Sequence, residues 1–353
     1  MAHTVLATAT HQEIYQQPSL WPLTLDLVGR SAVAKGVKGG RAVITGAGSS
    51  AYAAAAIARS WPNARAFPTT DLLVDAQSLP QQTEVLVSIA RSGDSPESIA
   101  VIEKLRVQFP PIRHMAITCN GSGKLALADG VESIILDPRA NDRSLAMTSS
   151  FSNLALAGMA IENFDVIAAS ISTIARSVDA LLPRLEEHAR DIAARKPTRA
   201  VILASPPLFP LAREASLKIL EMTGGQCVAM AETFLGLRHG PMSFLAPDSL
   251  VLCFLSSDVR VRLYEFDLLA ELRAKRLGYT VGLVPEGVNA VDLNRAIPAS
   301  APQLPDALRT PFEVVFAQLL AYHLSLGAGL NPDNPSPDGV ITRVVGGVRI
   351  HGG

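Results

Sequence analysis

Cysteine is scarce in this chain. Cys119, Cys227 and Cys253 are its three, far apart and without CxxC spacing. That excludes a disulfide framework and a thiolate zinc site, and leaves each as a small buried residue in or near a strand. Charge of one sign is also missing: 31 Lys and Arg stand against 32 Asp and Glu, for a net charge of -1. With the signs interspersed there is no basic stripe for nucleic acid and no acidic tail. No apolar run approaches the length of a membrane span, and the opening segment lacks the cationic start and continuous apolar core of a leader. The expectation is a soluble, cytoplasmic protein with no nucleic-acid or membrane partner.

What the chain does have is apolar mass. Hydrophobic residues make up 48% of its 353 residues and charged ones 18%, enough for two or three domains. Apolar runs at 41–45, 84–89, 112–118 and 133–136 read as strands separated by helix-length segments such as 96–109, the pattern of a parallel sheet covered on both faces. The second half repeats the plan, with strands at 200–204, 228–230, 249–255 and 280–285 and helices at 211–222, 263–277 and 312–326. AVITG is echoed by AVILAS, and LVSIARSGD by LVLCFLSSD. This predicts a pseudo-repeat of two α/β units joined through the charged, helical stretch 179–197, a single extended sheet being the alternative. The tail from Asn331 is too rich in Pro, Asn, Asp and Gly for a helix, and its ITRVV patch favours docking.

Residues 211–241, LAREASLKILEMTGGQCVAMAETFLGLRHGP, are the most informative stretch. Helical offsets of four and three place Glu214, Lys218 and Glu221 on one face; on an ordinary surface helix they would be a solvated ion-pair stripe. Downstream, His239 stands in a Gly-Pro turn, where loop chemistry governs residue choice. A carboxylate and an imidazole suit proton transfer. Three hydroxyl-rich turns follow strands of the first half: TGAGSSAY, SIARSGDSPES and AMTSSFSNL. Turns of this kind cap helices everywhere, but two at the carboxyl ends of one sheet share a crevice, and helix starts there favour an anion. Gly46 and Gly48 are followed by Ser49 and Ser50, so neither a dinucleotide fingerprint nor a Walker lysine is present. Together the turns predict a pocket for a polyhydroxylated ligand with one phosphate, needing no cofactor and no metal.

Those motifs, with REASLKILE and LRHGPMSF, resemble in order the motifs of sugar isomerase (SIS) domain proteins that carry two such domains in tandem. EIYQQPSLW, PTTDLL, ITCN and NPDNPSPDGVITRVV narrow the resemblance to the tagatose-6-phosphate ketose/aldose isomerase or galactosamine-6-phosphate deaminase subfamily. The resemblance implies an N-terminal helical extension at 1–30, SIS domains at 31–180 and 196–330, each an αβα sandwich around a parallel sheet, and a tail at 331–353. It implies catalysis by Glu221, which moves a proton between C1 and C2, and by His239, which helps open the sugar ring and can come from a neighbouring subunit of a homodimer. Lys218 would bind substrate oxygens. Phosphate would fall to Ser50, Ser92 and Ser95, with Gly48, Ser49 and Asp94 in the same turns, and Thr148 and Ser149 near the sugar.

Two departures stand out. Ala90 and Arg91 replace a hydroxyl and a Gln of the synthase-type phosphate loop, so a guanidinium could take over the lost donor. Arg343 is what the tail offers in place of a substrate-contacting Lys. No cysteine near the amino terminus could serve as the nucleophile of a glutamine-hydrolysing module, which favours ammonia release: an amino-sugar 6-phosphate to a ketose 6-phosphate. A plain aldose–ketose isomerase, a glucosamine-6-phosphate deaminase and a sugar-phosphate sensor are the rivals; a sensor has no need of Glu221 and His239 together.

Overall fold

Alternating strand-length and helix-length segments become two five-stranded sheets in the computed structural model, which describes residues 8–351. Three helices come first: α1 (Ala9–Tyr15), α2 (Gln17–Arg30) and α3 (Ala32–Val37). The first half then runs β1 (Ala42–Gly46), α4 (Ser49–Ser60), β2 (Ala64–Pro68), α5 (Thr69–Val74), β3 (Val85–Ala90), α6 (Pro96–Gln108), β4 (Arg113–Thr118), α7 (Lys124–Leu127) and β5 (Val131–Ile135). Two long helices, α8 (Ser149–Ala168) and α9 (Ile171–Ala193), lead into the second half. This consists of β6 (Arg199–Ala204), α10 (Phe209–Met222), β7 (Val228–Glu232), β8 (Leu250–Phe254), α11 (Val259–Lys275), β9 (Tyr279–Val284), β10 (Arg295–Pro298) and α12 (Thr310–Gly327). Residues 1–7 of the expected N-terminal extension, and 352–353 of the tail, lie outside the described residues.

The strand orders are β2-β1-β3-β4-β5 and β7-β6-β8-β9-β10, the same order counted within each half, with every pairing parallel. Two sheets therefore form rather than one. Each has its switch point between its first and third strands, where ligands of open parallel sheets bind. The edge strands β2 and β10 are absent from the sequence-based expectation: Arg65 and Pro68 in one, Arg295 and Pro298 in the other, interrupt the apolar run. An edge strand is paired on one side only and tolerates both residue types.

Alternation along the strands sets the layers. Ala42 and Ile44 of β1, and Ala200 and Ile202 of β6, face a shared core with Trp21, Phe151, Phe312 and Phe316, whereas Val43 and Val201 face separate outer cores. The shared core is a helical layer between the sheets in which α4 packs on α8 and α10, and α10 on α12. That packing matters for function, because it brings α10 of the second half against the crevice of the first. Among the described residues no single helix is long and apolar enough to cross a membrane.

Candidate active site

The crevice at the β1/β3 switch point is a cavity of about 540 Å³. The turn after β1 provides Gly48, Ser49 and Ser50, the turn after β3 provides Arg91, Ser92 and Ser95, and α10 provides Lys218 and Glu221. Tail residues 339–346 cover it. Gly48 occupies the N-cap of α4 at φ 56° and carries no side chain to cap the helix, so the helix start faces the cavity. Gly46 has a steric reason to be glycine: a Cβ there would lie 2.5 Å from the Ser50 backbone. The tight approach folds Ser50 back over the strand end, with its hydroxyl making only a 3.8 Å contact to the Met147 sulfur.

Across the cavity, Ser92 accepts a long 3.3 Å hydrogen bond from the Asp94 amide, and Ser95 donates to Glu97 Oε2 at 2.6 Å. Ser98, three residues further along α6, also lines the wall. The sequence reading did not single it out, although the Ser95–Ser98 spacing is the signal that could have found it.

On α10 the three charged residues do share a face, but they are not a solvated stripe. Glu214 and Lys218 are completely buried, and Glu221 reaches the cavity with its side chain 23% exposed. Lys218 Nζ donates to Glu221 Oε2 and stands 3.5 Å from Glu214 Oε1. Burial pushes the Glu214 carboxyl up to about 8, with Lys218 pulling it back and Glu221 adding to the rise; neither Glu214 oxygen has a well-formed hydrogen bond. Burial also works against the Lys218 ammonium, but the two carboxylates outweigh it and raise its pKa. The outcome is a fixed cation pressed against the one glutamate that faces the ligand space. Met222 is the last residue of α10 and Thr223 its C-cap; Gly224 and Gly225 follow at φ 56° and 78°, a conformation that favours glycine.

Several expected site residues are placed elsewhere. Thr148, Ser149 and Ser150 at the start of α8 are fully buried and face Asp142 instead of the cavity. The Asp142 carboxylate accepts from all three backbone amides, at 2.8 Å, 3.1 Å and 2.9 Å, and from all three hydroxyls. A helix start that could hold an anion holds the chain's own. Asp94 accepts from the Lys124 amide at 3.0 Å and does not line the cavity.

Arg91 does line it, yet its guanidinium donates to the carbonyls of Ser144, Leu145 and Arg343, so three of its five donors are spent on the cavity rim and the tail. Burial lowers its pKa, with Asp142 working in the opposite direction. Arg343 likewise donates to the Asp142 carbonyl and Asn141 Oδ1. The two arginines fasten the tail over the cavity. Asp142 gave no sign in the sequence, since its role depends on a loop fold rather than a motif.

His239 is exposed and outside the cavity, following the 3₁₀ turn Gly236–Arg238 beyond β7, an edge strand. Its neighbour Arg238 pairs with Glu271 at 2.7 Å. One chain therefore brings together the hydroxyl-rich turns after β1 and β3, Lys218 and Glu221, but not the imidazole. Among the described residues no group of three or more His, Cys, Asp or Glu could hold a metal ion. A larger cleft of about 840 Å³ lies between α9 and the loops after β9 and β10 and contains none of the expected site residues; the smaller cavity is the candidate, because the reactive side chains converge there.

No protein-family model matches the chain. The AgaS protein of Streptomyces coelicolor is 39% identical over 379 residues, spanning 98% of this chain and 96% of that one. The D-galactosamine-6-phosphate deaminase AgaS of Escherichia coli O157:H7 is 32% identical over 374 residues, spanning 99% and 97%. A crystal structure of tagatose-6-phosphate ketose/aldose isomerase from Escherichia coli superposes with a TM-score of 0.87 at 31% identity, covering 98% of this chain and 97% of that one. The C-terminal domain of glucosamine-fructose-6-phosphate aminotransferase from Francisella tularensis shares the fold, with a TM-score of 0.78 at 16% identity over 95% and 100% of the two chains.

Proposed function

We propose that this chain, which belongs to the D-galactosamine-6-phosphate deaminase family of tandem sugar-isomerase-domain proteins, converts galactosamine 6-phosphate and water to tagatose 6-phosphate and ammonia. The observation that carries the chemistry is Glu221. It is the carboxylate that lines the cavity, at the end of α10 and held by the buried Lys218 ammonium.

The phosphate binds at the start of α4 and the turn before α6, to the Ser50 and Ser92 hydroxyls and nearby backbone amides, as helix starts favour anions. With the sugar ring open, Glu221 takes the C2 proton. The electron pair moves to form an enolamine, and the same carboxyl returns the proton to C1, giving a ketimine. Water adds at C2 and ammonia leaves. Lys218 stays charged throughout, stabilising oxygen-centred negative charge as it develops.

Ring opening falls to His239, and since its own chain leaves it outside the cavity, it serves the site of a second copy in a homodimer. If the substrate carries a hydroxyl at C2, the same shuttle is an aldose–ketose isomerisation, the activity named for the Escherichia coli structure at 31% identity. Incubating the protein with galactosamine 6-phosphate and, separately, glucosamine 6-phosphate, while measuring ammonia and ketose phosphate, decides the substrate. Absence of ammonia from both, with turnover of tagatose 6-phosphate, would replace the deaminase reading by the isomerase one.

A further inference from the structure

The fold is duplicated, so the second sheet has its own switch-point crevice, between β6 and β8. The turn after β8, Leu255-Ser256-Ser257-Asp258, is the counterpart of Arg91-Ser92-Gly93-Asp94 after β3, and it likewise opens a helix, here α11. In the first half this turn borders open cavity. In the second it is occupied. Asp306, from a 3₁₀ turn just before α12, inserts its carboxylate there: the Ser256 hydroxyl donates to Oδ2 at 2.5 Å, the Ser257 hydroxyl to Oδ1 at 2.6 Å, and the Ser257 amide to the two oxygens at 3.0 Å and 3.2 Å. The fully buried Arg309 adds a bond to Oδ1 at 2.6 Å and is itself held by Glu313 and the Leu255 carbonyl. Two hydroxyls, a backbone amide and a guanidinium converging on one pair of oxygens are the donor set of an oxyanion site.

We propose that the second half carries a phosphate-type anion site permanently filled by the chain's own Asp306, so that each chain binds one phosphorylated sugar, through its first half alone. The proposal rests on the reading of the first-half turns as the phosphate site. Asp306 is the internal ligand: it satisfies donors that a sugar phosphate would otherwise claim, and its turn packs against α4, the helix that opens at the first-half site. Burial opposes the Asp306 charge, but the serine hydroxyls, the Ser257 amide and Arg309 outweigh it and hold its pKa below the usual carboxylate value.

Removing the carboxylate should expose the site. Binding of inorganic phosphate to the full chain, followed by calorimetry, is expected to give one site per chain in the wild type, none in the Ser50→Ala/Ser92→Ala double variant, and two in Asp306→Gly. The triple combination should keep one, and adding Ser256→Ala to it should weaken that site at least about tenfold. An Asp306→Gly protein that folds and still binds a single phosphate overturns the proposal. A double variant that keeps its phosphate instead overturns the reading of the first-half turns, and the two failures are separate.

Should Asp306→Gly unfold on its own, its refolding in phosphate or acetate against chloride gives the answer. Rescue by those oxyanions, with a Tm rise of about 2 °C or more beyond any in the wild type at an anion concentration ten times its Kd, is the expected result. Equal yields in all three salts would overturn the proposal.

Discussion

Glu221 and Lys218 are in contact, and replacing either changes a different quantity. Glu221→Gln keeps the shape and a hydrogen-bonding oxygen for Lys218 but cannot accept the C2 proton. It should lower kcat by about 10²- to 10⁴-fold with little change in sugar-phosphate affinity; single-turnover kinetics with calorimetric binding would read both, and near wild-type kcat would remove Glu221 from the mechanism. Glu265 offers a test away from the site. It is buried on α11, accepts from the Ser256 amide at 2.9 Å, and burial raises its carboxyl pKa to about 7. A carboxyl held neutral in the folded state while its unfolded counterpart ionises near 4.5 stabilises fully at low pH, and the contribution is lost as pH rises through about 7. Stability of the wild type should therefore decline across that window by up to about 3 kcal/mol from this group. In Glu265→Gln the pH profile of urea unfolding should be correspondingly flatter, and an unchanged slope would show that the group ionises normally.

At the scale of elements, the start of α8 is the most sensitive point. Asp142→Ala would leave three amides and three hydroxyls there without their acceptor. The expected loss is on the order of 3–5 kcal/mol, read as a Tm drop of roughly 5 °C. Asp142→Asn should be nearly as damaging, because its amide group would face donors rather than acceptors; a near-neutral Asn variant would mean that water meets those donors. This helix start also shows what could and could not be read from sequence. Thr148-Ser149-Ser150 were legible as a helix-opening hydroxyl cluster, but not that their partner is Asp142, six to eight residues upstream. The same limit applies to Arg91 and Arg343, whose partners lie in distant segments. The central strands, α10 and the turns after β1 and β3 were legible because periodicity and turn chemistry are local. The edge strands β2 and β10, which depend on a neighbour rather than on their own pattern, were not.

For the whole molecule, the separation of His239 from the cavity of its own chain gives a decisive mixing experiment. In a symmetric dimer with exchanged loops, one site of a mixed His239→Ala and Glu221→Gln pair carries both lesions and the other carries neither. Co-refolding the two inactive variants should restore up to half the wild-type ammonia release per mixed dimer. No recovery in a preparation with demonstrated mixed dimers would place both residues in one chain's site.

The tail has a consequence for how the protein comes off the ribosome. Asp333 accepts from the amides of Ala9 and Thr10 and from the Thr10 hydroxyl, capping a helix 323 residues earlier, and residues 339–346 then cover the cavity with Arg91 holding the Arg343 carbonyl. Translation delivers these segments after both sheets, at about 5–20 residues per second. For most of synthesis, then, the first sheet can assemble around β1 and β3 while its crevice has no cover and the Ala9 and Thr10 amides of α1 lack their Asp333 acceptor, Thr8 alone capping that helix. A nascent chain can present the finished turns after β1 and β3 long before it can enclose a ligand between them; on the proposed function, catalytic competence would then arrive as a late event, set by the emergence of the tail rather than by the folding of the sheet that carries the site.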